Sequence, residues 1–183
     1  MHGPAQKRLQ VLRELLPTAT IIAALVNPIN TSTEKVTRDL QSAARTLGLQ
    51  LHILHASSEY DVDVAFANLT QLHADGLVVN PDPFFIGRSE RLIDLTLRYR
   101  VPTMFFSRDF AAAGGLMSYG GSVAESHRQT GIYIGRILKG EKPADLPVQQ
   151  ITKFELVINS KAATALGLRI PPTLLATADE VIE

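Results

Sequence analysis

Thr20-Ile21-Ile22-Ala23-Ala24-Leu25-Val26-Asn27-Pro28-Ile29-Asn30-Thr31-Ser32-Thr33-Glu34 sets the frame for the whole chain. Ile21 to Val26 is an unbroken apolar run. Such a run suits a strand buried on both faces, as in a parallel sheet covered by helices. Pro28 cannot donate to a sheet ladder, so the strand stops at Asn27-Pro28. Thr31 with Glu34 three residues on reads as a capping box, which predicts a helix start there. In open α/β sheets, ligands bind beyond the carboxyl ends of the strands, where helix N-termini aim their N–H groups. A site here would take its first wall from Asn27, Asn30 and Thr31.

The same grammar repeats outward from that stretch. Upstream, Leu9, Leu12 and Leu16 share one helical face, and Pro17 ends that helix. Downstream, Val36, Leu40, Ala43, Ala44 and Leu47 form a helical stripe that stops at Gly48. Leu49–His55 alternates apolar and polar residues, as expected of a strand nearer a sheet edge. Ser57 or Ser58 caps a third helix, and Gly76–Val79 is a short apolar strand ending in Asn80-Pro81-Asp82-Pro83. A helix over about 87–99 leads to the strand Thr103–Phe106, which ends in Ser107-Arg108-Asp109. Leu116–Tyr119 is a fifth strand, followed by Gly120-Gly121.

This alternation predicts an α/β fold: a doubly wound parallel sheet with strand order 2-1-3-4-5, right-handed crossovers, and the strands at Ile21 and Leu77 central. Beyond it, Ser122–Lys139 reads as a longer helix with too many apolar residues for one narrow stripe, and Glu141–Val148 as a polar linker. Phe154–Ile158 is one more strand, Lys161–Leu166 a short helix, and Pro171-Pro172 starts a last helical turn. The organisation expected is a ligand-binding lobe over 1–121, a crossover helix over 122–140, and a return to the lobe over 141–183.

Composition closes off several kinds of chemistry. The chain has no cysteine, which removes thiol catalysis, disulfides and zinc-thiolate sites. Its net charge of +0 leaves no basic stripe for nucleic acid. No apolar run reaches the length of a membrane span, and Met1-His2-Gly3-Pro4 lacks the apolar core of an export signal. There is no G-x-G-x-x-G after the first strand, no P-loop and no G-x-S-x-G elbow. The five histidines lack metal-ligand spacing. No cofactor or metal is expected, and no nucleophile–base pair stands out.

Polar residues gather instead at four strand ends: Asn27, Asn30 and Thr31; Asn80 and Asp82; Ser107 and Arg108; Ser118, Tyr119 and Gly120. Loops are polar and rich in turn residues anyway. Their convergence at one end of one sheet favours a site, with amides, a carboxylate, a guanidinium and an aromatic ring suited to a small zwitterionic or hydroxylated ligand. Arg108 is expected either to meet an anionic group or to pair with Asp109 or Asp82 and order its loop. Phe84-Phe85 reads as packing, and Lys153 with Glu155 as a solvated face.

The phrases ATIIAALVNPINTSTE, DGLVVNPDPFF, FFSRDFAAAGGLMSYG, YIGRILKGEKPADLPVQQ, TKFELVINSKAATALGL and IPPTLLATADEVIE resemble the C-terminal part of bacterial ABC-transporter substrate-binding proteins, the group that includes aromatic-amino-acid binders. The likeness runs from Lys7 to Glu183 and keeps the order of the phrases. It implies a type I periplasmic-binding fold, with two α/β lobes and a ligand in the cleft between them. It further implies a non-catalytic receptor working with ABC permease subunits in the periplasm. Family members carry a signal peptide and a first lobe ahead of the stretch matched at Lys7, so this chain is expected to be a second lobe. Ser122–Lys139 would then cross to pack on the first lobe, or pair with a second copy in a homodimer. The rival readings are a doubly wound enzyme using Asp82, Arg108 and a histidine on a small anionic substrate, and a ligand-sensing domain of a transcription regulator.

Overall fold

A computed structural model describes residues 3–147 and 153–183. Strand β1 (Ile21–Val26) pairs in parallel with β2 (Gln50–His55) on one side and β3 (Gly76–Val79) on the other. The sheet continues in parallel through β4 (Thr103–Phe105) and β5 (Met117–Gly121), which gives the expected order β2-β1-β3-β4-β5. It then extends by two strands. β6 (Phe154–Asn159) runs antiparallel to β5, and β7 (Glu180–Ile182) lies parallel to β6 at the far edge. β7 has three residues, too few for periodicity to register, and only pairing with β6 defines it.

The unbroken run in β1 follows from burial on both sides. Ile22 and Ala24 face α1 (Pro4–Leu15) and α2 (Thr33–Thr46), in a core with Leu9, Leu12 and Leu40. Ala23 and Leu25 face α3 (Glu59–Gln71) and α5 (Ser89–Arg98), in a second core with Phe66, Leu69 and Leu92. Each such fully buried Leu, Ile or Phe contributes about 1.5–3 kcal/mol. β2 at the edge is mostly half-exposed, in keeping with its alternation. Asp75 ties down the start of β1, accepting the backbone N–H groups of Thr20 and Ile21 at 2.7 and 2.9 Å.

Helix starts differ from expectation where loop chemistry competes. Ser58 and Asp61 form the capping box of α3, with the Ser58 hydroxyl accepting from the Asp61 N–H at 3.2 Å. Thr31 and Glu34 do not form one. Helix α2 begins at Thr33 behind Ser32, and no side chain caps it. Asn30 Oδ1 has taken the Ser32 N–H at 2.9 Å, which turns the chain before the helix, and Glu34 pairs with Arg38 one turn on. Two short helices, α4 (Pro83–Ile86) and α6 (Arg108–Ala112), occupy stretches whose sequence reads as loop. Each is capped by the residue before it, Asp82 and Ser107. Phe85 is fully buried beneath α5, so it packs as expected.

Helix α7 (Val123–Leu138) leaves the lobe after β5, a 3-10 turn follows at Pro143–Asp145, and the chain returns through β6, α8 (Ser160–Ala165) and α9 (Pro172–Thr177). Val148 of the expected linker lies outside the described residues. Along α7, Ile132, Ile134, Ile137 and Leu138 are 41, 52, 40 and 82% exposed.

β5 lies close against the end of β4. A Cβ placed on Gly120 would sit 1.8 Å from the Phe106 carbonyl oxygen, a contact no side chain tolerates. Gly120→Ala must push the two backbones apart. It is expected to destabilise the lobe by about 1–3 kcal/mol or more, read as a lower midpoint in urea. An unchanged midpoint would mean that this end of the sheet relaxes freely.

Candidate functional site

Three of the polar clusters singled out in the sequence follow the carboxyl ends of the mutually parallel strands β1, β3 and β4, and the fourth, Ser118, Tyr119 and Gly120, lies within β5 itself. The first two are joined through one carboxylate. Asp82 Oδ1 accepts from Asn27 Nδ2 at 2.9 Å and from the Phe84 N–H at 2.8 Å. Its Oδ2 accepts from Asn30 Nδ2 at 2.8 Å. Asp82 is 6% exposed. Burial alone would raise its pKa, but the three donors outweigh that and hold it below the ordinary carboxylate range.

The β1–α2 loop is braced for this role. Asn27 Oδ1 accepts the Ile29 N–H at 3.1 Å, and the Asn27 carbonyl accepts the Thr33 hydroxyl at 2.5 Å. Pro28 and Ile29 are exposed at its tip. Asn80, directly after β3, is 4% exposed, and its Nδ2 donates to the Leu25 carbonyl at 3.4 Å. Asn27, Asn80 and Asp82 border one small recess, with Val26 and Val36 as its apolar wall. Thr31 is exposed and faces a broader, shallower groove shared with Arg38, Gln41 and His55.

The β4 and β5 clusters are arranged differently. Ser107 caps α6, and its hydroxyl accepts the Asp109 N–H at 3.4 Å. Arg108 pairs with neither Asp109 nor Asp82. It makes a bidentate ion pair with Glu180 of β7, Nε and Nη2 lying 2.7 and 2.6 Å from the two carboxylate oxygens. The bond to Glu180 raises the Arg108 pKa, and the bond to Arg108 lowers that of Glu180. Tyr119 is half-buried and stacks on Phe154 at 5.7 Å between centroids. Burial raises the pKa of its phenol, Asp179 adds to that, and Arg8 opposes it.

Arg8 and Glu180 carry charges the sequence did not flag. Arg8 lies on α1 at a position that reads as one more polar residue of an amphipathic helix, yet it is 3% exposed. Burial pushes its guanidinium down to about 10, and nearby Tyr119 partly offsets that. Its Nε has no hydrogen-bond partner among the described residues. Glu180 sits 72 positions from Arg108, beyond the reach of any local motif. Among the described residues, no group of His, Asp and Glu could hold a metal ion, and no helix is long and apolar enough to cross a membrane.

A mostly parallel sheet between helices, with polar loops gathered on its strand carboxyl ends, is the architecture of a periplasmic-binding-protein-like lobe. The family described as ABC transporter substrate binding protein matches residues 2–182, and the chain belongs to that family. The structure of a conserved domain protein from Vibrio cholerae is 26% identical, with a TM-score of 0.86 over 98% of this chain and 60% of that one. The structure titled as an ABC domain in complex with L-Trp from Streptococcus pneumonia gives the same figures: 26%, 0.86, 98% and 60%. A LacI family transcriptional regulator from Bifidobacterium animalis, 15% identical with a TM-score of 0.61 over 85% of this chain and 60% of its own, shares the fold alone. The chain thus spans about 60% of the length of the first two structures it matches. No curated protein matches it in sequence.

Removing the carboxylate that joins the first two loops tests its weight. Asp82→Ala strands the Asn27 and Asn30 amides and uncaps α4, at an expected cost of about 1–3 kcal/mol at neutral pH. Because the folded-state pKa is depressed, Asp82 stabilises the lobe above its unfolded-state pKa and loses that effect as pH falls through the folded value. The gap in melting temperature between wild type and variant should therefore close in acid. A gap independent of pH would assign the loss to packing.

Proposed function

We propose that this chain is the ligand-binding lobe of a periplasmic solute receptor for an ABC importer. It takes a small ligand such as an amino acid in a cleft against the first lobe and hands it to the permease. The observation that carries this reading is the convergence of Asn27, Asn30, Asn80 and Asp82 at the strand carboxyl ends, on loops already locked together. Membership of a substrate-binding family supports it, as does likeness to a structure that holds L-Trp. Catalysis is not needed: the loops offer hydrogen bonds and charge, and closure of two lobes around a ligand supplies the signal. In this arrangement Ser107, Tyr119 and Gly120 belong to the same rim, and Arg108 serves it by anchoring α6 to β7 through Glu180.

A thermal-shift screen with amino acids and sugars, paired with an assay for turnover of each hit, tests the reading. Stoichiometric binding without turnover is expected, and turnover of a hit would favour the enzyme alternative.

Helix α7 extends the proposal. None of its described side chains is buried, and its isoleucines and Leu138 present an apolar surface. In the receptor that surface packs on the first lobe. The 183-residue chain by itself is expected to cover it with a second copy, since exposed apolar patches of this kind tend to find partners. Light scattering at micromolar concentration should then give a dimer, and Ile134→Glu with Leu138→Glu a monomer. A wild-type monomer would count against α7 as a packing surface.

A further inference from the structure

The sheet ends differently on its two sides. At one side β7 has three residues and is marked by acid, with Glu180 in it and Glu183 directly after. Brevity and charge are devices that keep an edge strand from pairing with another chain. At the other side β2 has six residues, Gln50-Leu51-His52-Ile53-Leu54-His55, and carries no Asp, Glu, Lys, Arg or Pro. It has neither device.

The ladder behind that edge fixes which of its groups face out. The Gln50 N–H donates to the Thr20 carbonyl at 2.8 Å, and the Ala56 N–H to the Val26 carbonyl at 3.0 Å. Backbone groups alternate along a strand, so the even-numbered residues of β2 turn theirs to β1 and the odd-numbered ones turn theirs outward. Leu51, Ile53 and His55 thus present three N–H and three C=O groups at the edge. None of these is bonded in a turn, a cap or a side-chain contact among the described residues. Leu51, His52 and Ile53 are half-exposed, and Gln50 and His55 are exposed, so the edge stands clear of α2 and α3.

We infer that β2 pairs antiparallel with β2 of a second copy of this chain, about a two-fold axis through Ile53. Ile53 then bonds to its own copy through both backbone groups, and Leu51 of each chain bonds to His55 of the other. All three donors and all three acceptors of each chain are used. An axis through His52 or Leu54 would set His55 opposite Leu49, or Leu51 opposite Ser57. The N–H groups of Leu49 and Ser57 are already held, by the Ala44 carbonyl and the Asp61 carboxylate. Across the joint Ile53 faces Ile53, Leu51 faces His55 and His52 faces Leu54, so no like charges meet. A symmetric contact of this kind closes at two copies. It joins two seven-stranded sheets into one and points their carboxyl-end loops in opposite directions. One strand edge buries little apolar surface, so the pair fills at millimolar rather than micromolar concentration, apart from any association through α7.

The test uses the chain carrying Ile134→Glu and Leu138→Glu, which takes association through α7 out of the measurement. Sedimentation equilibrium from micromolar to millimolar concentration should show monomer passing to dimer. Over the same range amide exchange at Leu51, Ile53 and His55 should slow severalfold, while His52 and Leu54, whose N–H groups face β1, stay as they were. Adding His55→Pro removes an outward donor, leaves the β1 ladder intact and should abolish the dimer. Ile53→Lys and Ile53→Glu should each give monomers, because residue 53 meets its own copy, and an equimolar mixture of the two should pair again. A loss of fold cannot produce that rescue. The inference is overturned if the chain stays monomeric at millimolar concentration, if it dimerises with exchange at Leu51, Ile53 and His55 unchanged, or if the mixture of Ile53→Lys and Ile53→Glu stays monomeric. No ligand enters the test, so its outcome is independent of the receptor reading.

Discussion

Parallel pairing is the constraint on which the rest of this lobe depends. A strand cannot pass to a parallel neighbour through a tight turn, so the chain must travel back along the sheet, and helices carry it. β1 sits between β2 and β3 under that rule, with helices over both of its faces. Every loop that leaves a parallel strand therefore emerges at the same end. Residues as distant in sequence as Asn27 and Asp82 become neighbours without any special device. The shared hydrogen bonds at Asp82 then tie the loop after β1 to the loop after β3.

How much of this was legible in the residues depended on range. Ile21–Val26 and Gly76–Val79 announced interior strands because burial on both faces leaves no polar position in them. The alternation of Leu49–His55 announced an edge. The end of the sheet at which the polar clusters gather also followed, since topology alone decides it. Partners did not follow. Thr31 and Glu34 have the spacing of a capping box, but Asn30 turns the chain first and Thr33 bonds back to Asn27. Arg108 finds Glu180 on a strand too short to leave a pattern. Arg8 is buried because of what covers α1, which the periodicity of α1 does not reveal.

Charge at the rim is consequently distributed by tertiary structure. The lobe carries equal numbers of acidic and basic residues, so composition says nothing about the sign of its site. One bidentate pair ties the Arg108 guanidinium to Glu180, and three donors keep the Asp82 carboxylate ionised. Both effects work through residues far apart in the chain.

The reversal of direction at β6 has a consequence for how the lobe is built. Gly121 of β5 is paired with Phe154 of β6, and the Ser122 N–H donates to the Lys153 carbonyl at 3.1 Å. The chain departs and re-enters at adjacent points, as if β5 and β6 were a plain hairpin with residues 122–153 spliced into its bend. The sheet is then indifferent to the length of the splice, because each doubling of a closed loop costs only about 0.6 kcal/mol. Such a lobe can gain, lose or exchange what it carries at that point, and its sheet keeps the same register.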